Sequence, residues 1–400
     1  MKTFVQFGAG NIGRSFIGRL FAEAGYEVVF VDVDRTLLAL LNERRSYPVV
    51  VKQNERPDMT YLVQGIRAID GRDAQAVIEA IVSADIVATS VGQRALQSIF
   101  PALADALVAR KARACPPLDL IIAENMRSGA ALFRQHLSAL LPADFDLETQ
   151  LGLVETSIGK MVPIMPLEAL AADPLQLFTE PYDTLIVDRK AFRLALPSLN
   201  GLKAVNNIGA WVDRKLFLHN LSHAALAYLG YQADPTLIYC WQAMRIPSVV
   251  TAVREALAQS SAALAQAYPD DLTMSGLADH SDDLLNRYRN RALGDTLHRV
   301  GRDLCRKLAR DDRLVGACLL AARQDLPFSR IIPAIQAALQ FSAPDEHGNV
   351  GAADRQFLDA VAERGGQAIL SEVANLSPER PIDRRFLEAC FGDKFSSSSQ

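Results

Sequence analysis

KTFVQFGAGNIGRSFIGRLFAEAG, residues 2–25, combines a short apolar run, three glycines at the spacing GxGxxG and a helical run. The apolar run at residues 2–7 predicts a buried strand, and the helix after the turn offers unpaired N–H groups to a pyrophosphate. Glycines in the turn let the backbone approach that anion closely, so strand, turn and helix together predict a dinucleotide-binding unit. The cofactor contacts predicted in this stretch are Gly8, Gly10, Asn11, Ile12 and Gly13.

A second predicted strand, EVVFVDVD at residues 27–34, ends in acidic residues. Asp32 follows the glycines by about 20 residues, the usual position of a carboxylate that binds the adenosine ribose and repels a 2′-phosphate. We therefore expect NAD as the cofactor rather than NADP. Asp34 is an alternative for this role, and the neighbouring Arg35 would suit a phosphate.

Further apolar runs alternate with helical segments in the first half of the chain, at residues 84–92, 118–126 and 151–159. This alternation predicts an α/β Rossmann fold with a doubly wound parallel sheet, in which ligands bind beyond the carboxyl ends of the strands. Ordinary turn chemistry also accounts for glycines and polar residues at such ends. The residues expected near the cofactor are Val91, Gly92 and Glu124, and Asn125 offers an amide to a substrate oxygen.

From about residue 200 the alternation fades, and alanine- and leucine-rich helical stretches such as SVVTAVREALAQSSAALAQAY follow. The chain is longer than one core of the usual size, so two domains are expected, and the turn-rich LPSLNG suggests a boundary. We predict an NAD-binding Rossmann domain over residues 1–195, a mainly α-helical substrate-binding domain over 196–392 and a disordered tail over 393–400.

The composition argues against several classes of partner. A net charge of −4 and a pI near 5.9 give no general attraction to nucleic acid or to an anionic membrane. No apolar run reaches membrane-spanning length, and the first residues lack the pattern of a secretion signal. The 5 cysteines include no CxxC pair, which argues against a disulfide framework and a thiolate zinc site. We expect a reduced, cytoplasmic protein.

DRKLFLHNLSHAALAYLG, residues 213–230, predicts an α-helix with three polar residues that can face a common cleft. At about 100° per residue, Asn220 lies about 140° around the helix from Lys215, with His223 between them at about 80°. The alternative is an amphipathic helix whose polar face is solvated. His219 and His223, spaced four apart, also allow zinc, although no third ligand has a recognisable spacing.

The segment from Gly294 to Gly316 is dense in charge. A solvated helix with ion pairs to Asp303, Asp311 and Asp312 is the ordinary explanation. Basic side chains that face a cleft would instead hold an anionic group of a substrate. The residues predicted to contact a phosphate are Arg299, Arg302 and Lys307.

Five stretches of the chain, in order, are GAGNIGRSFIG, RSYPVVV, AENMRSGA, DRKLFLHNLSHAALAYLG and RNRALGDTLHRVGRDLCRKLARDDRLVG. Together they resemble the polyol-specific long-chain dehydrogenases, the mannitol dehydrogenase family. The resemblance implies a Rossmann domain, a helical substrate domain and metal-independent hydride transfer between NAD(H) and a polyol or its ketose. By the family's pattern, Lys215 is the catalytic base with Asn220 and His223 beside it, and Asn125 is the asparagine after the fifth strand.

The expected chemistry sets a requirement for the lysine. Oxidation of an alcohol needs a proton acceptor, and Lys215 can accept a proton only if burial or nearby positive charge lowers its pKa. The basic segment favours a phosphorylated substrate. The resemblance implies a sugar alcohol phosphate and its ketose phosphate, with D-mannitol 1-phosphate and D-fructose 6-phosphate as the expected pair.

Two departures from the family pattern bear on the substrate. Gly159 and Lys160 stand where the family commonly has an acid and an arginine after the sixth strand, and Ser15 stands where close relatives have glycine. A related polyol or hexuronate oxidoreductase therefore stays open as an alternative. A non-catalytic NAD-binding regulator that keeps the fold is the alternative from another class.

Overall fold

The computed structural model describes residues 1–54, 56–163 and 165–392, and the predicted tail lies outside them. The chain forms two compact units, Met1–Val212 and a second that begins at Asp213. The strands, all in the first unit, are β1 (Thr3–Phe7), β2 (Glu27–Asp32), β3 (Ser46–Val51), β4 (Met59–Gln64), β5 (Ile66–Asp70), β6 (Ile86–Thr89), β7 (Leu118–Ile122), β8 (Leu151–Ile158), β9 (Leu177–Thr179), β10 (Leu185–Asp188) and β11 (Leu202–Val205).

Helices connect these strands and make up the second unit. In the first unit they are a π-helix (Gly13–Gly18), α1 (Arg19–Glu23), α2 (Arg35–Arg44), α3 (Ala74–Ser83), α4 (Leu96–Ala112), α5 (Gly129–Leu140), α6 (Leu147–Gln150), α7 (Leu167–Ala172) and a 3₁₀-helix (Arg189–Ala191). The chain continues with α8 (Ile208–Arg214), a second π-helix (Lys215–Asn220), α9 (Leu221–Ala233), α10 (Cys240–Ala243), α11 (Pro247–Ala267), α12 (Met274–Tyr288), a 3₁₀-helix (Arg291–Leu293), α13 (Leu297–Gly301), α14 (Leu304–Lys307), α15 (Val315–Ala322), α16 (Ile332–Ala338), α17 (Ala352–Arg364), α18 (Gly366–Val373) and α19 (Pro381–Phe391). None of the described helices combines the length and apolar character needed to cross a bilayer.

The main sheet has 8 strands in the order β11-β10-β8-β7-β6-β1-β2-β5. The strands from β8 to β5 run parallel, and β10 pairs antiparallel with β8. The parallel part has the strand order of a Rossmann sheet, in which the chain starts at the centre and winds outward in both directions. The predicted fold class, a doubly wound α/β sheet followed by a mainly helical region, is confirmed.

A smaller sheet was not predicted. It has 3 strands in the order β4-β3-β9, with β3 antiparallel to β4 and parallel to β9. Most residues of β4 are exposed, so its sequence lacks the continuous apolar run that marks a buried parallel strand. Strand β5, at the edge of the main sheet, was missed for a related reason, since polar residues interrupt its short apolar pattern.

The central strands are buried on both faces because helices cover the sheet on both sides. Successive side chains of a strand point to opposite faces. Phe4 and Phe30 accordingly belong to one hydrophobic cluster, and Val5 and Val29 belong to the other. This two-sided burial explains why the central strands appear in the sequence as largely apolar runs.

The second unit is built around α9. Leu221, Ala225, Leu226 and Tyr228 are fully buried, because α11, α13 and α16 pack against this helix. The predicted domain boundary between residues 195 and 196 precedes β11, whose pairing with β10 keeps that strand with the sheet. The position of the boundary stays a prediction.

Arg110 ties together two loops of the first unit. It lies in α4, is 6% exposed and donates hydrogen bonds of 2.8 to 3.0 Å to the carbonyl oxygens of Ile81, Val82, Ala84 and Pro116. The last carbonyl groups of a helix, such as those at the end of α3, have no partner within the helix. The guanidinium group satisfies them where water cannot.

We expect Arg110→Met to lower the free energy of unfolding by about 2 to 4 kcal/mol, because buried carbonyl oxygens lose their donors. Arg113→Met is the matched control. Arg113 follows the same helix and forms an ion pair with Glu79 at 2.7 Å, in which both side chains are about half exposed, so its loss should change little. Urea unfolding compares the two variants, and equal destabilisation would contradict the assignment of Arg110 as an internal tie.

Candidate active site

The glycines of the turn after β1 differ in what they contribute. Gly8 has a φ of 90° and donates its N–H to Val31 O at 2.8 Å. A Cβ at Gly8 would lie 2.6 Å from Ser90 O, and a Cβ at Gly13 would lie 2.0 Å from Gly8 O. The fold therefore requires both glycines. Gly10 is exposed, and no atom lies within 4 Å of the position of its Cβ, so the fold itself does not require glycine there.

The open space at Gly10 fits the pyrophosphate of a dinucleotide. Asn11 is exposed and Ile12 is half-buried at the start of the helix, whose first N–H groups have no partner within it. Ser15, one of the departures from the family pattern, is fully buried and donates from Oγ to Asn11 O at 2.5 Å. The hydroxyl group of Ser15 is thus hydrogen-bonded to the backbone one turn earlier in the same helical segment.

Asp32, at the end of β2, supports the glycine turn. Its Oδ2 accepts the N–H of Ala9 at 2.7 Å, and its Oδ1 accepts the N–H groups of Val33 at 2.7 Å and Asp34 at 3.1 Å. The carboxylate of Asp34 accepts the N–H of Leu37 at 3.1 Å and so caps α2. Of the two candidate acids, Asp32 is therefore the one that contacts the turn.

Glu124 joins the ends of β6 and β7. Its carboxylate accepts the N–H groups of Val91 at 2.8 Å and Gly92 at 3.0 Å, so the structure brings these three predicted cofactor contacts together. Burial raises the pKa of Glu124, and the two N–H groups oppose the rise. Asn125 is exposed, and its backbone carbonyl accepts a hydrogen bond from Gln93 Nε2 at 3.2 Å.

Lys160, the second departure from the family pattern, is buried within the first unit. Its Nζ donates to Glu180 O at 3.0 Å, Tyr182 O at 2.6 Å and Asp183 Oδ1 at 2.5 Å. Arg19 also contacts that oxygen of Asp183, at 2.5 Å. Burial lowers the pKa of Lys160 to about 8, and Asp183 opposes the change. This lysine therefore braces the loop between β9 and β10.

In the second unit, the run from Lys215 to Asn220 is a π-helix. The N–H of Leu221 bonds to Leu216 O, five residues back. Such a turn holds more residues than an α-helical turn, so Asn220 lies closer in angle to Lys215 than regular winding would place it. The predicted angle of about 140° was wrong, because it assumed the α-helical value of about 3.6 residues per turn throughout.

Hydroxyl groups satisfy the carbonyl oxygens of this π-helix. The bonds are Ser260 Oγ to Phe217 O at 2.6 Å, Ser222 Oγ to Leu218 O at 2.6 Å and Tyr288 Oη to His219 O at 2.9 Å. All three donors are buried. A carbonyl group that loses its regular helical partner needs another donor when it is buried, and these side chains supply it.

Lys215 and Asn220 are both half-buried. Burial lowers the pKa of Lys215 to about 8, the positive charge of Arg313 lowers it further, and Asp312 opposes the change. Arg313 itself is held by a bond of 2.6 Å from its Nε to Asp312 Oδ1. The amine thus meets the requirement that the sequence set for a catalytic base.

The imidazole ring of His223 stacks on Tyr288, with ring centroids 4.8 Å apart. Its Nε2 lies 3.3 Å from Asp295 Oδ2 and makes no well-aligned hydrogen bond with the described residues. Burial lowers the pKa of His223 to about 3, and Arg299 and other nearby cations lower it further. Burial also lowers the pKa of His219, so both rings are neutral at physiological pH.

The basic segment contains two short helices, α13 and α14, instead of one. Lys307 is buried, and its Nζ donates to the carbonyl oxygens of Val300 and Arg302. Arg299 forms an ion pair with Asp295, whereas the side chain of Arg302 is exposed. The three predicted phosphate contacts therefore have different surroundings: Arg299 has an ion pair, Lys307 bonds to backbone carbonyl oxygens, and Arg302 is exposed.

Sequence reasoning missed several residues around the π-helix. Asp295 gave a signal, since it stands four residues before Arg299 in the segment that resembles the family, but its partner His223 is distant in sequence. Ser260 gave none, because it is one serine in an alanine-rich helix. No group of three His, Cys, Asp or Glu side chains in the described part of the chain is arranged to hold a metal ion.

Comparison with protein families gives two matches that cover most of the chain. The model of the mannitol dehydrogenase Rossmann domain matches residues 2–201, and that of the mannitol dehydrogenase C-terminal domain matches residues 207–375.

Similar proteins agree with these matches. The mannitol-1-phosphate 5-dehydrogenase of Brevibacillus brevis is 37% identical over 381 residues, which are 95% of each chain. The Pseudomonas fluorescens mannitol 2-dehydrogenase, solved as a ternary complex with NAD and D-mannitol, has a TM-score of 0.77 at 18% identity and covers 98% of this chain and 91% of its own. A substrate-free D-sorbitol dehydrogenase has a TM-score of 0.73 at 17% identity, with 97% and 94% covered. The predicted resemblance is confirmed, and the chain belongs to the mannitol dehydrogenase family.

Proposed function

We propose that this chain is an NAD-dependent dehydrogenase that interconverts a sugar alcohol phosphate and its ketose phosphate, D-mannitol 1-phosphate and D-fructose 6-phosphate, without a metal ion. The observation that carries the proposal is Lys215, half-buried and with a pKa of about 8, on the same π-helix as Asn220. Such an amine is suited to accept the proton of an alcohol. The identity of 37% to a mannitol-1-phosphate 5-dehydrogenase supports the choice of substrate.

Lys215 accepts the hydroxyl proton when the alcohol is oxidised and returns it when the ketose is reduced. With a pKa of about 8, about one amine in ten is neutral at pH 7, far more than for a free lysine. Asn220 donates a hydrogen bond to the developing alkoxide, an interaction that stabilises transition states by about 2 to 4 kcal/mol in oxyanion sites. We assign His223 to orientation of the substrate and Asn125 to a contact with a substrate oxygen.

The residues of the first unit fit NAD. Gly10 leaves room for the pyrophosphate, and the oxygens of Asp32 keep lone pairs for the ribose after they have accepted backbone N–H groups. When bound, NAD supplies the hydride acceptor at C4 of its nicotinamide ring. The proposed cofactor contacts are Gly8, Gly10, Asn11, Ile12, Gly13, Asp32, Val91, Gly92 and Glu124.

Positive charge around the catalytic residues favours an anionic substrate. Arg299, Lys307, Arg313 and Arg287 all lower the pKa of His223. The field that disfavours protonation of the imidazole also attracts a phosphate group. We assign Arg299 and Arg302 to contact with the phosphate, and Lys307 to a contribution of charge from its buried position.

We also place the enzyme in the cytoplasm. Its 5 cysteines are free thiols in the structure, which supports a reducing compartment.

Consumption of NADH, followed by its absorbance with a panel of ketoses, tests the proposal. We expect kcat/KM for D-fructose 6-phosphate to exceed that for D-fructose by about 100-fold or more, because the neutral ketose forgoes charge-assisted hydrogen bonds to the phosphate. Hexuronate ketoses carry a carboxylate and test the alternative within the family. Equal turnover of D-fructose would refute the assignment of a phosphorylated substrate, and tight NADH binding without turnover of any ketose would favour a regulator.

Gly10→Ala tests the cofactor site separately from the fold. We expect the Kd for NADH to rise about tenfold or more, a loss of about 1.4 kcal/mol, since the new Cβ occupies space meant for the pyrophosphate. The stability should not change, because nothing in the protein lies within 4 Å of that Cβ. Gly351→Ala, at another exposed and open glycine, is the matched control. Fluorescence titration and urea unfolding measure both quantities, and an unchanged Kd in Gly10→Ala would argue against the site.

Lys215→Met tests the catalytic base. We expect kcat to fall by about 10³-fold, within the usual contribution of general acid–base catalysis, while the Kd for NADH stays the same. Lys190→Met, at an exposed lysine, is the matched control and should keep the wild-type rate. Near-normal turnover by Lys215→Met would contradict the assignment of Lys215 as the catalytic base.

The pH dependence of the wild type follows from the same pKa. Alcohol oxidation needs the neutral amine, so its kcat/KM should rise with pH and level off above about 8. Ketose reduction needs the protonated amine, so its kcat/KM should fall above the same pH. The residual activity of Lys215→Met should not show this pH dependence. If the same pH dependence persisted in that variant, the pKa would belong to another group.

A further inference from the structure

Asp295 is a buried carboxylate beside His223 in the second unit. It is 6% exposed, its Oδ2 lies 3.3 Å from His223 Nε2, and its Oδ1 pairs with the guanidinium group of Arg299. Its backbone is also fixed, because Asp295 O accepts the N–H of Cys240 at 2.9 Å. The carboxylate is therefore held in one orientation and faces one nitrogen of the imidazole.

The imidazole ring is fixed as well. It stacks on Tyr288 with an angle of 14° between the ring planes, and Tyr288 is itself anchored by the bond from its hydroxyl to His219 O. His223, Tyr288 and Asp295 line one narrow cavity together with Asn290. Because Nε2 is buried on the side of the carboxylate, 3.3 Å from Asp295 Oδ2, Nδ1 is the nitrogen that remains for a substrate.

The proton of a neutral imidazole sits on one nitrogen, and the other nitrogen accepts hydrogen bonds. Because the pKa of His223 is lowered to about 3, the ring stays neutral over the working range of pH. The negative charge of Asp295 lies on the side of Nε2, so it favours the tautomer that carries the proton on that nitrogen. In serine proteases, an aspartate selects the histidine tautomer in this way, and its change to asparagine lowers turnover by about 10⁴-fold.

We propose that Asp295 is a positioning residue that holds His223 in the Nε2–H tautomer and presents Nδ1 to a substrate hydroxyl as a hydrogen-bond acceptor. The inference rests on the proposed function, since it defines the task of His223 in that reaction. The same carboxylate contacts Arg299, so one side chain fixes both a substrate-orienting group and a proposed phosphate contact.

Other charged groups near His223 do not select its tautomer. Arg299, Arg313 and Arg287 are cations that disfavour a second proton on the ring, but they have no lone pair to accept an N–H. The amine of Lys307 bonds to the carbonyl oxygens of Val300 and Arg302. The ring of His219 has its centroid 6.1 Å away, beyond hydrogen-bonding distance. Among the described residues, Asp295 is the carboxylate within ion-pair distance of this imidazole.

Asp295→Asn keeps the size of the side chain but should reverse which tautomer of His223 is favoured. The amide can still accept from Arg299 through oxygen, but its nitrogen donates to His223 Nε2 and so favours the Nδ1–H tautomer. Nitrogen-15 NMR of histidine-labelled protein shows which ring nitrogen carries the proton, and His223→Gln identifies the signal among the 6 histidines. We expect Nε2–H in the wild type and Nδ1–H in Asp295→Asn.

Kinetics provide the second readout. We expect Asp295→Asn to lower kcat for ketose reduction by about 100-fold or more, with an unchanged Kd for NADH, and Asp295→Glu to recover part of the loss by restoring a carboxylate. Asp303→Asn is the matched control, because Asp303 lies in the same segment, is exposed and pairs with Arg306. Its φ of 72° is one that asparagine tolerates, so the control should fold and keep the wild-type rate.

The same tautomer in the wild type and Asp295→Asn, or a nearly normal kcat in that variant, would overturn the inference. If Asp295→Asn fails to fold, the wild type decides alone, since an Nδ1–H signal there contradicts the proposed role. Absence of turnover by the wild type with every ketose would instead refute the proposed function, and the NMR comparison would still settle the tautomer.

Discussion

The hydrogen bond from the N–H of Leu221 to Leu216 O determines how the candidate catalytic residues are arranged. It widens one helical turn and so brings Asn220 closer in angle to Lys215 than a regular α-helix does. The widened turn leaves carbonyl groups that neighbouring helices must satisfy. Hydroxyl groups of Ser260 and Tyr288 do so from α11 and α12, which ties the geometry of the site to the core of the helical unit.

Electrostatics reinforce this arrangement. Burial is the largest cause that lowers the pKa of Lys215 and of His223, and nearby arginines act in the same direction. Both groups can therefore exist as neutral bases inside positively charged surroundings. An anionic substrate would relieve the repulsion among those cations. The same charges would therefore contribute to substrate binding and keep the two bases neutral. Asp295 offsets part of this positive charge, because it forms an ion pair with Arg299.

A feature of the structure could be predicted from the sequence when the contacts that cause it join residues close together in the chain. The strand, turn and helix around Gly8 and Gly13 were predictable because the spacing of glycines reflects contacts within a few residues. The role of Lys160 was not, since only the fold shows that its amine turns inward to Asp183. The π-helix was missed because periodicity assumes a constant turn, and Asp295 was missed because its contact with His223 spans a long stretch of chain.

The π-helix also constrains how this region can change in evolution. A widened turn contains one residue more than an α-helix needs, so loss of a residue between Lys215 and Leu221 would restore regular winding. Regular α-helical winding of the same number of residues would instead rotate everything after that point by about 100° about the helix axis. The buried face of α9, with Ala225 and Leu226, would swing away from its neighbours. The packing of the helical unit thus favours the widened turn for this number of residues, independently of any selection on the chemistry.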